Sequence, residues 1–73
     1  MMTFTLVKEN EKEVVYKLDA EGDKAIATVD KATREVQIEG IVRGLFSPAW
    51  VRRFFKNMDN IDSAPKEFYY GFG

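Results

Sequence analysis

The chain contains neither cysteine nor histidine. Without cysteine it has no disulfide, no thiol nucleophile and no thiolate metal ligand. Without histidine it lacks the side chain most often used as a general base and metal ligand near neutral pH. These absences exclude a Ser-His-Asp triad and a conventional zinc site. We therefore expect no catalytic residues, no metal site and no cofactor, and we predict that the protein is not an enzyme.

Long apolar runs are also missing. No stretch approaches the roughly 20 consecutive apolar residues that cross a bilayer as a helix, and the N-terminal segment 1–8 lacks the basic, apolar pattern of a signal peptide. We therefore expect a cytoplasmic protein with no membrane partner.

The 73 residues allow one small α+β domain over residues 1–73. A chain of this length buries only about 60% of the surface that its unfolded form exposes. Apolar packing must hold it together, and the content of 45% hydrophobic and 14% aromatic residues can supply that packing.

The first forty residues alternate between apolar and polar side chains, which is typical of strands with one buried face. The pattern is clearest at Val14, Tyr16 and Leu18. The third segment is ambiguous, because Ala25, Ala27 and Val29 lie on one face but Ile26 lies on the other. The predicted strands cover about 2–8, 13–19, 24–30 and 34–41. A turn is predicted at 30–33, because the Asp30 side chain can bond to the backbone two residues on. The short connections between the strands favour a four-stranded antiparallel β-meander.

The period changes after Gly40. Ser47 and Pro48 form a helix-start signal, because serine caps the first turn and proline suits the first helical position. One arc of the helical projection then carries the large apolar residues, namely Trp50, Val51, Phe54, Phe55, Met58 and Ile61. This pattern predicts one amphipathic helix at about 48–60 that packs on the meander.

The C-terminal tail is rich in aromatic residues. Pro65 ends any helix, and the residues that follow favour a short fifth strand in which Phe68, Tyr70 and Phe72 share one face. Aromatic residues also dominate the energetics of protein interfaces. The tail therefore has two interpretations, a strand that completes the protein's own core and a segment that binds a partner, and we favour the first.

Segment 41–58 carries four cationic residues and no acidic one. Basic residues among aromatic ones can contact phosphates and stack on bases. On this helix, however, Arg52, Arg53 and Lys56 project away from the arc that holds Phe54 and Phe55. We therefore expect a solvated basic face rather than a stacking surface.

The leading hypothesis is a non-catalytic protein-interaction module that uses the tail strand or the uncovered face of the sheet. Its partner is another protein or, in a homodimer, a second copy. The alternative is a small nucleic-acid-binding domain that uses the basic face of the 48–60 helix. A hydrolase that uses surface carboxylates is the least favoured idea. The candidate binding residues are Arg43, Arg52, Arg53, Lys56, Phe68, Tyr69, Tyr70 and Phe72.

Overall fold

The structure, a computed structural model, describes residues 2–20, 22–40, 47–59 and 61–70. Its elements, in chain order, are β1 (Met2–Glu9), β2 (Glu13–Ala20), β3 (Asp23–Asp30), β4 (Val36–Gly40), α1 (Pro48–Lys56), a 3₁₀ turn (Ile61–Ser63) and β5 (Glu67–Tyr70). No helix in the described ranges is long and apolar enough to cross a membrane.

The strands form one antiparallel sheet in the order β4-β3-β2-β1-β5. The predicted four-stranded meander is confirmed, and β5 adds to it beside β1. With α1 packed on one face, the molecule is the small α+β fold that the sequence predicted. Strands β4 and β5 lie at opposite edges of the described sheet, which separates the two surfaces considered below.

One face of the sheet forms the core. Val14, Tyr16 and Leu18 are buried there, as their alternation predicted. The ambiguity of the third strand is also resolved, because Ala27 lies opposite Tyr16 and is completely buried. An alanine beside a large ring keeps the layer evenly filled, which close packing requires.

The turn before β4 forms as predicted, but the strand begins later. The Asp30 carboxylate accepts hydrogen bonds from the backbone N–H groups of Ala32 and Thr33 at 2.8 and 3.0 Å. The prediction that the fourth strand starts at Arg34 was wrong, because Arg34 has a φ of 65°. That left-handed conformation is incompatible with a strand, so β4 starts at Val36.

Helix α1 begins where the sequence predicted and ends earlier. Ser47 is its N-cap, and its hydroxyl accepts a hydrogen bond from the Trp50 N–H at 3.3 Å. The helix ends at Lys56 rather than at 60, and Asn57 is its C-cap. Ile61, predicted to continue the apolar arc, is instead buried from within the 3₁₀ turn.

The C-terminal strand folds onto its own chain. The Tyr16 hydroxyl donates a hydrogen bond to the Pro65 carbonyl at 2.7 Å, and the Leu6 N–H donates one to the Lys66 carbonyl at 2.7 Å. The Phe68 ring stacks on Phe4 with centroids 4.5 Å apart. These contacts agree with the interpretation of the tail as part of the protein's own core.

Replacement of Tyr16 by phenylalanine tests the hydrogen bond between its hydroxyl and the Pro65 carbonyl. It leaves the Pro65 carbonyl without its partner, so we expect the free energy of unfolding at pH 7 to fall by about 1 kcal/mol. Tyr69→Phe removes an exposed hydroxyl and should change it much less. Chemical denaturation measures the free energy of unfolding of both variants. An equal loss in the two would contradict a stabilising role of the Tyr16 hydrogen bond.

The native protein and the Tyr16→Phe variant should also differ in how their stability depends on pH. Burial raises the pKa of Tyr16 to about 12, and the negative charge of Glu9 acts in the same direction. An unfolded tyrosine ionises near about pH 10. Above that pH the unfolded chain loses its proton first, so the native protein is destabilised between pH 10 and 12. The stability difference between the native protein and Tyr16→Phe should therefore shrink in that window and stay constant below it.

Gly40 at the end of β4 is a second test of the fold. Its φ is 107°, and a Cβ atom there would lie 2.6 Å from the Lys24 carbonyl oxygen and 2.9 Å from Ala25 Cα. Gly22 has a φ of 89° but open space around its missing side chain. We expect Gly40→Ala to cost more than about 2 kcal/mol, through both strain and overlap, and Gly22→Ala about 1 kcal/mol, through strain alone. Thermal or denaturant unfolding of both variants decides this, and equal costs would contradict it.

Candidate functional site

An open groove of about 530 Å³ lies between α1 and the β4 edge of the sheet. Four of its lining residues are cationic and one is acidic. The basic groove, as we call it below, is lined by Arg34, Glu35, Val36, Gln37, Arg52, Arg53 and Lys56. These residues come from two parts of the chain that only the fold brings together.

Arg52 joins the helix to the strand edge. Its Nε donates a hydrogen bond to the Val36 carbonyl at 3.4 Å. The side chain is otherwise exposed, so its charged end borders both the strand and solvent. The contact places a guanidinium beside the backbone of an edge strand.

Arg34 joins the turn before β4 to the C-terminal end of α1. Its Nη1 donates hydrogen bonds to the carbonyls of Phe55 and Met58. The last carbonyls of a helix lack partners within the helix and carry partial negative charge, so a cation is favourable there. Arg34 therefore stabilises the end of α1 and adds a fourth positive charge to the groove.

Sequence reasoning did not include Arg34 among the candidate residues. It was assigned to a strand, where its side chain would have been one more solvated charge. The carbonyls that it contacts are 21 and 24 residues away along the chain. No local periodicity signals a contact over that distance.

The predicted basic residues on the helix come together as expected. Arg52, Arg53 and Lys56 are all exposed and line the same groove. Arg53 also borders a shallower hollow beside Trp50 and Phe54. Arg43 lies outside the described residues.

The aromatic residues of the tail that the structure describes, Phe68, Tyr69 and Tyr70, lie at the opposite edge of the sheet, in β5. Phe68 is half-buried in the core, whereas Tyr69 is 58% exposed and its hydroxyl donates a hydrogen bond to Glu67 at 2.6 Å. Tyr70 pairs with Met2 through the backbone. Phe72 lies outside the described residues. The two candidate sets therefore do not form one site.

The groove's side chains suit anion binding. Its cations are arginine and lysine, which carry fixed charge at neutral pH and hold carboxylates or phosphates. Within the described ranges, no three Asp or Glu side chains are grouped so that they could hold a metal ion. Four cationic side chains around the groove can bind an anion through ionic contacts.

Comparison with known proteins assigns no function to this groove. No protein-family model, curated protein or solved structure matches the chain.

The structural role of Arg34 can be separated from its charge. Arg34→Gln removes both charge-assisted bonds to the end of α1, and we expect the free energy of unfolding to fall by about 1–3 kcal/mol. Arg53→Gln makes the same change of charge in the same groove at an exposed side chain, and should stay within about 0.5 kcal/mol of the native protein. Denaturant unfolding compares the two, and equal losses would show that Arg34 does not support the helix end.

Proposed function

We propose that this protein is a non-catalytic protein-interaction module that binds an acidic segment of another protein in the basic groove. The observation that carries the proposal is the convergence of Arg34 with Arg52, Arg53 and Lys56 beside an edge strand. One carboxylate, Glu35, lies among these four cations. A cationic groove in a chain of net charge −1 is a local feature that global composition does not explain.

Charge complementarity favours an acidic partner. Clustered positive charge speeds the encounter with a negative segment and disfavours basic partners. Arginine also binds carboxylates in a bidentate geometry that lysine cannot reproduce. Three of the four cations are arginines, which suits recognition of aspartate and glutamate side chains.

The arrangement of the aromatic rings favours a protein over a nucleic acid. Binding of single strands usually combines cations with rings on which bases stack. Here the rings of Phe54 and Phe68 pack against Phe4 in the core, with centroids 5.1 and 4.5 Å from it. The described lining of the groove contains no aromatic residue. Nucleic-acid binding is therefore the runner-up.

Titration with a short oligoglutamate peptide at low salt tests the proposal. Amide shifts in NMR spectra should locate binding at the groove, and the affinity should fall as salt is added, because salt screens exposed charges. The double variant Arg52→Gln/Lys56→Gln should bind about fivefold to tenfold more weakly, since each exposed ion pair contributes up to about 1 kcal/mol.

The control variant is Lys17→Gln/Lys24→Gln. It removes the same charge from two exposed lysines that face away from the helix, and it should bind like the native protein. Equal weakening in both variants, or no binding of the peptide, would overturn the proposal. Tighter binding of single- or double-stranded DNA or RNA at the same groove would establish the nucleic-acid function in its place. Light scattering of the native protein separately tests the alternative that the partner is a second copy of the chain.

A further inference from the structure

Successive residues of β4 point their backbone N–H and C=O groups alternately toward β3 and toward the outer edge of the sheet. The Asp30 N–H donates a hydrogen bond to the Glu35 carbonyl at 2.9 Å, so the carbonyl of Glu35 points toward β3. Backbone groups in an antiparallel pair alternate in direction from one residue to the next. Those of Val36 and Ile38 therefore point away from β3, toward the outer edge of the sheet. Among the described residues, no strand pairs with that edge.

Arg52 occupies the place of a neighbouring strand at Val36. The outward carbonyl of Val36 would accept an N–H from a strand added to the sheet, and it accepts the Arg52 Nε instead. At 3.4 Å this contact is longer than a typical N–H···O bond of about 2.9 Å, and so it is weak. A backbone donor at ordinary distance would replace it with little cost and release the guanidinium.

We infer that the acidic partner segment binds as an extended strand on the outer edge of β4 and makes a sixth strand of the sheet. This inference rests on the proposed function and specifies the conformation of the partner. The added strand gives an N–H to Val36 and pairs with Ile38, while the released Arg52 meets a carboxylate of the incoming chain. Such strand addition is a common mode of peptide recognition.

The two faces of the sheet predict a period of two in the partner sequence. Side chains of an added strand point alternately to the helix side and to the opposite side. On the helix side they meet Arg52, Arg53 and Lys56, so acidic residues are favoured there. On the opposite side they lie beside Gln37 and Glu39, which are exposed, so uncharged or basic residues are favoured there.

Edge β5 is less suited to the same role. Strands that resist pairing commonly carry proline and lysine at the edge, and β5 is preceded by Pro65 and Lys66. Its exposed side chains Glu67 and Tyr69 bond to each other, and the basic groove lies at the other edge of the described sheet. An acidic chain is therefore attracted more strongly to β4 than to β5.

A second copy of the chain is also a poorer occupant of the β4 edge than an acidic partner. Two β4 strands paired antiparallel about a two-fold axis place both helices on the same face of one continuous sheet. The cations of Arg52, Arg53 and Lys56 would then approach those of the other copy. Like charges at close range oppose that pairing.

Peptides with blocked backbone donors test the inference. The probe is a short peptide in which glutamate alternates with threonine, and two derivatives of it carry N-methyl groups either on every glutamate or on every threonine. N-methylation removes the N–H donor. If the peptide adds as a strand, one derivative loses the bonds to β4 and should bind at least about tenfold more weakly, because two lost bonds of about 1 kcal/mol each suffice. The other derivative keeps those bonds and should bind within about threefold of the parent, since its methyl groups face away from β4.

The outcomes separate the inference from the proposed function. Strong loss in one derivative only, with amide shifts at Val36 and Ile38, supports strand addition. Equal binding of both derivatives at the groove leaves the acidic-partner function intact and overturns strand addition. Equal loss in both derivatives also overturns it, since a strand presents only alternate donors to β4. No binding of the unmodified peptide or of oligoglutamate overturns both.

A peptide of the same composition with its glutamates in one block should bind more weakly than the alternating one, and tighter binding of the block would also overturn strand addition.

Discussion

Stacked phenylalanine rings join the helix, the first strand and the C-terminal strand: Phe54 of α1, Phe4 of β1 and Phe68 of β5. Phe4 is completely buried in β1, and its ring centroid lies 5.1 Å from that of Phe54 on α1 and 4.5 Å from that of Phe68 on β5. The ring of Tyr16 meets Phe4 edge-on at 6.3 Å. Aromatic pairs in such geometries contribute beyond the area that they bury. In a chain too short for a large core, this cluster fixes where the helix lies and therefore where its basic face points.

Arginine side chains complete the attachment of the helix at the other edge of the sheet. Arg34 donates to the carbonyls that end α1, and Arg52 donates to the carbonyl of Val36 on β4. Both contacts use only part of a guanidinium, which has five N–H donors. Both guanidinium groups also line the basic groove, so their charge is available to a bound anion. The same residues can therefore support the fold and form a surface for an anionic partner, and this dual use places the basic groove beside an edge strand.

The sequence predicted part of the candidate site and missed part of it. Arg52, Arg53 and Lys56 were predicted as one exposed face because a helix with a single apolar arc can have only one polar face. Arg34 was not predicted, since its position depends on contacts with residues 21 and 24 positions away. The tail shows the same limit. Its extended conformation followed from Pro65 and the aromatic residues, but its pairing with β1 depends on the hydrogen bonds at Tyr16 and Leu6.

Local patterns alone determined the alternating strands, the Asp30 turn, the Ser47 cap and the inward face of the helix. Each of these depends on residues within a few positions of one another, and elementary geometry relates spacing to direction. The tertiary structure decided the end of α1, the start of β4 and the joining of two distant segments in one groove. Arg34 shows the physical reason. Its left-handed backbone is a strained choice for arginine in isolation, and in this fold it coincides with two bonds to the helix end, which form only when the helix and the turn are packed together.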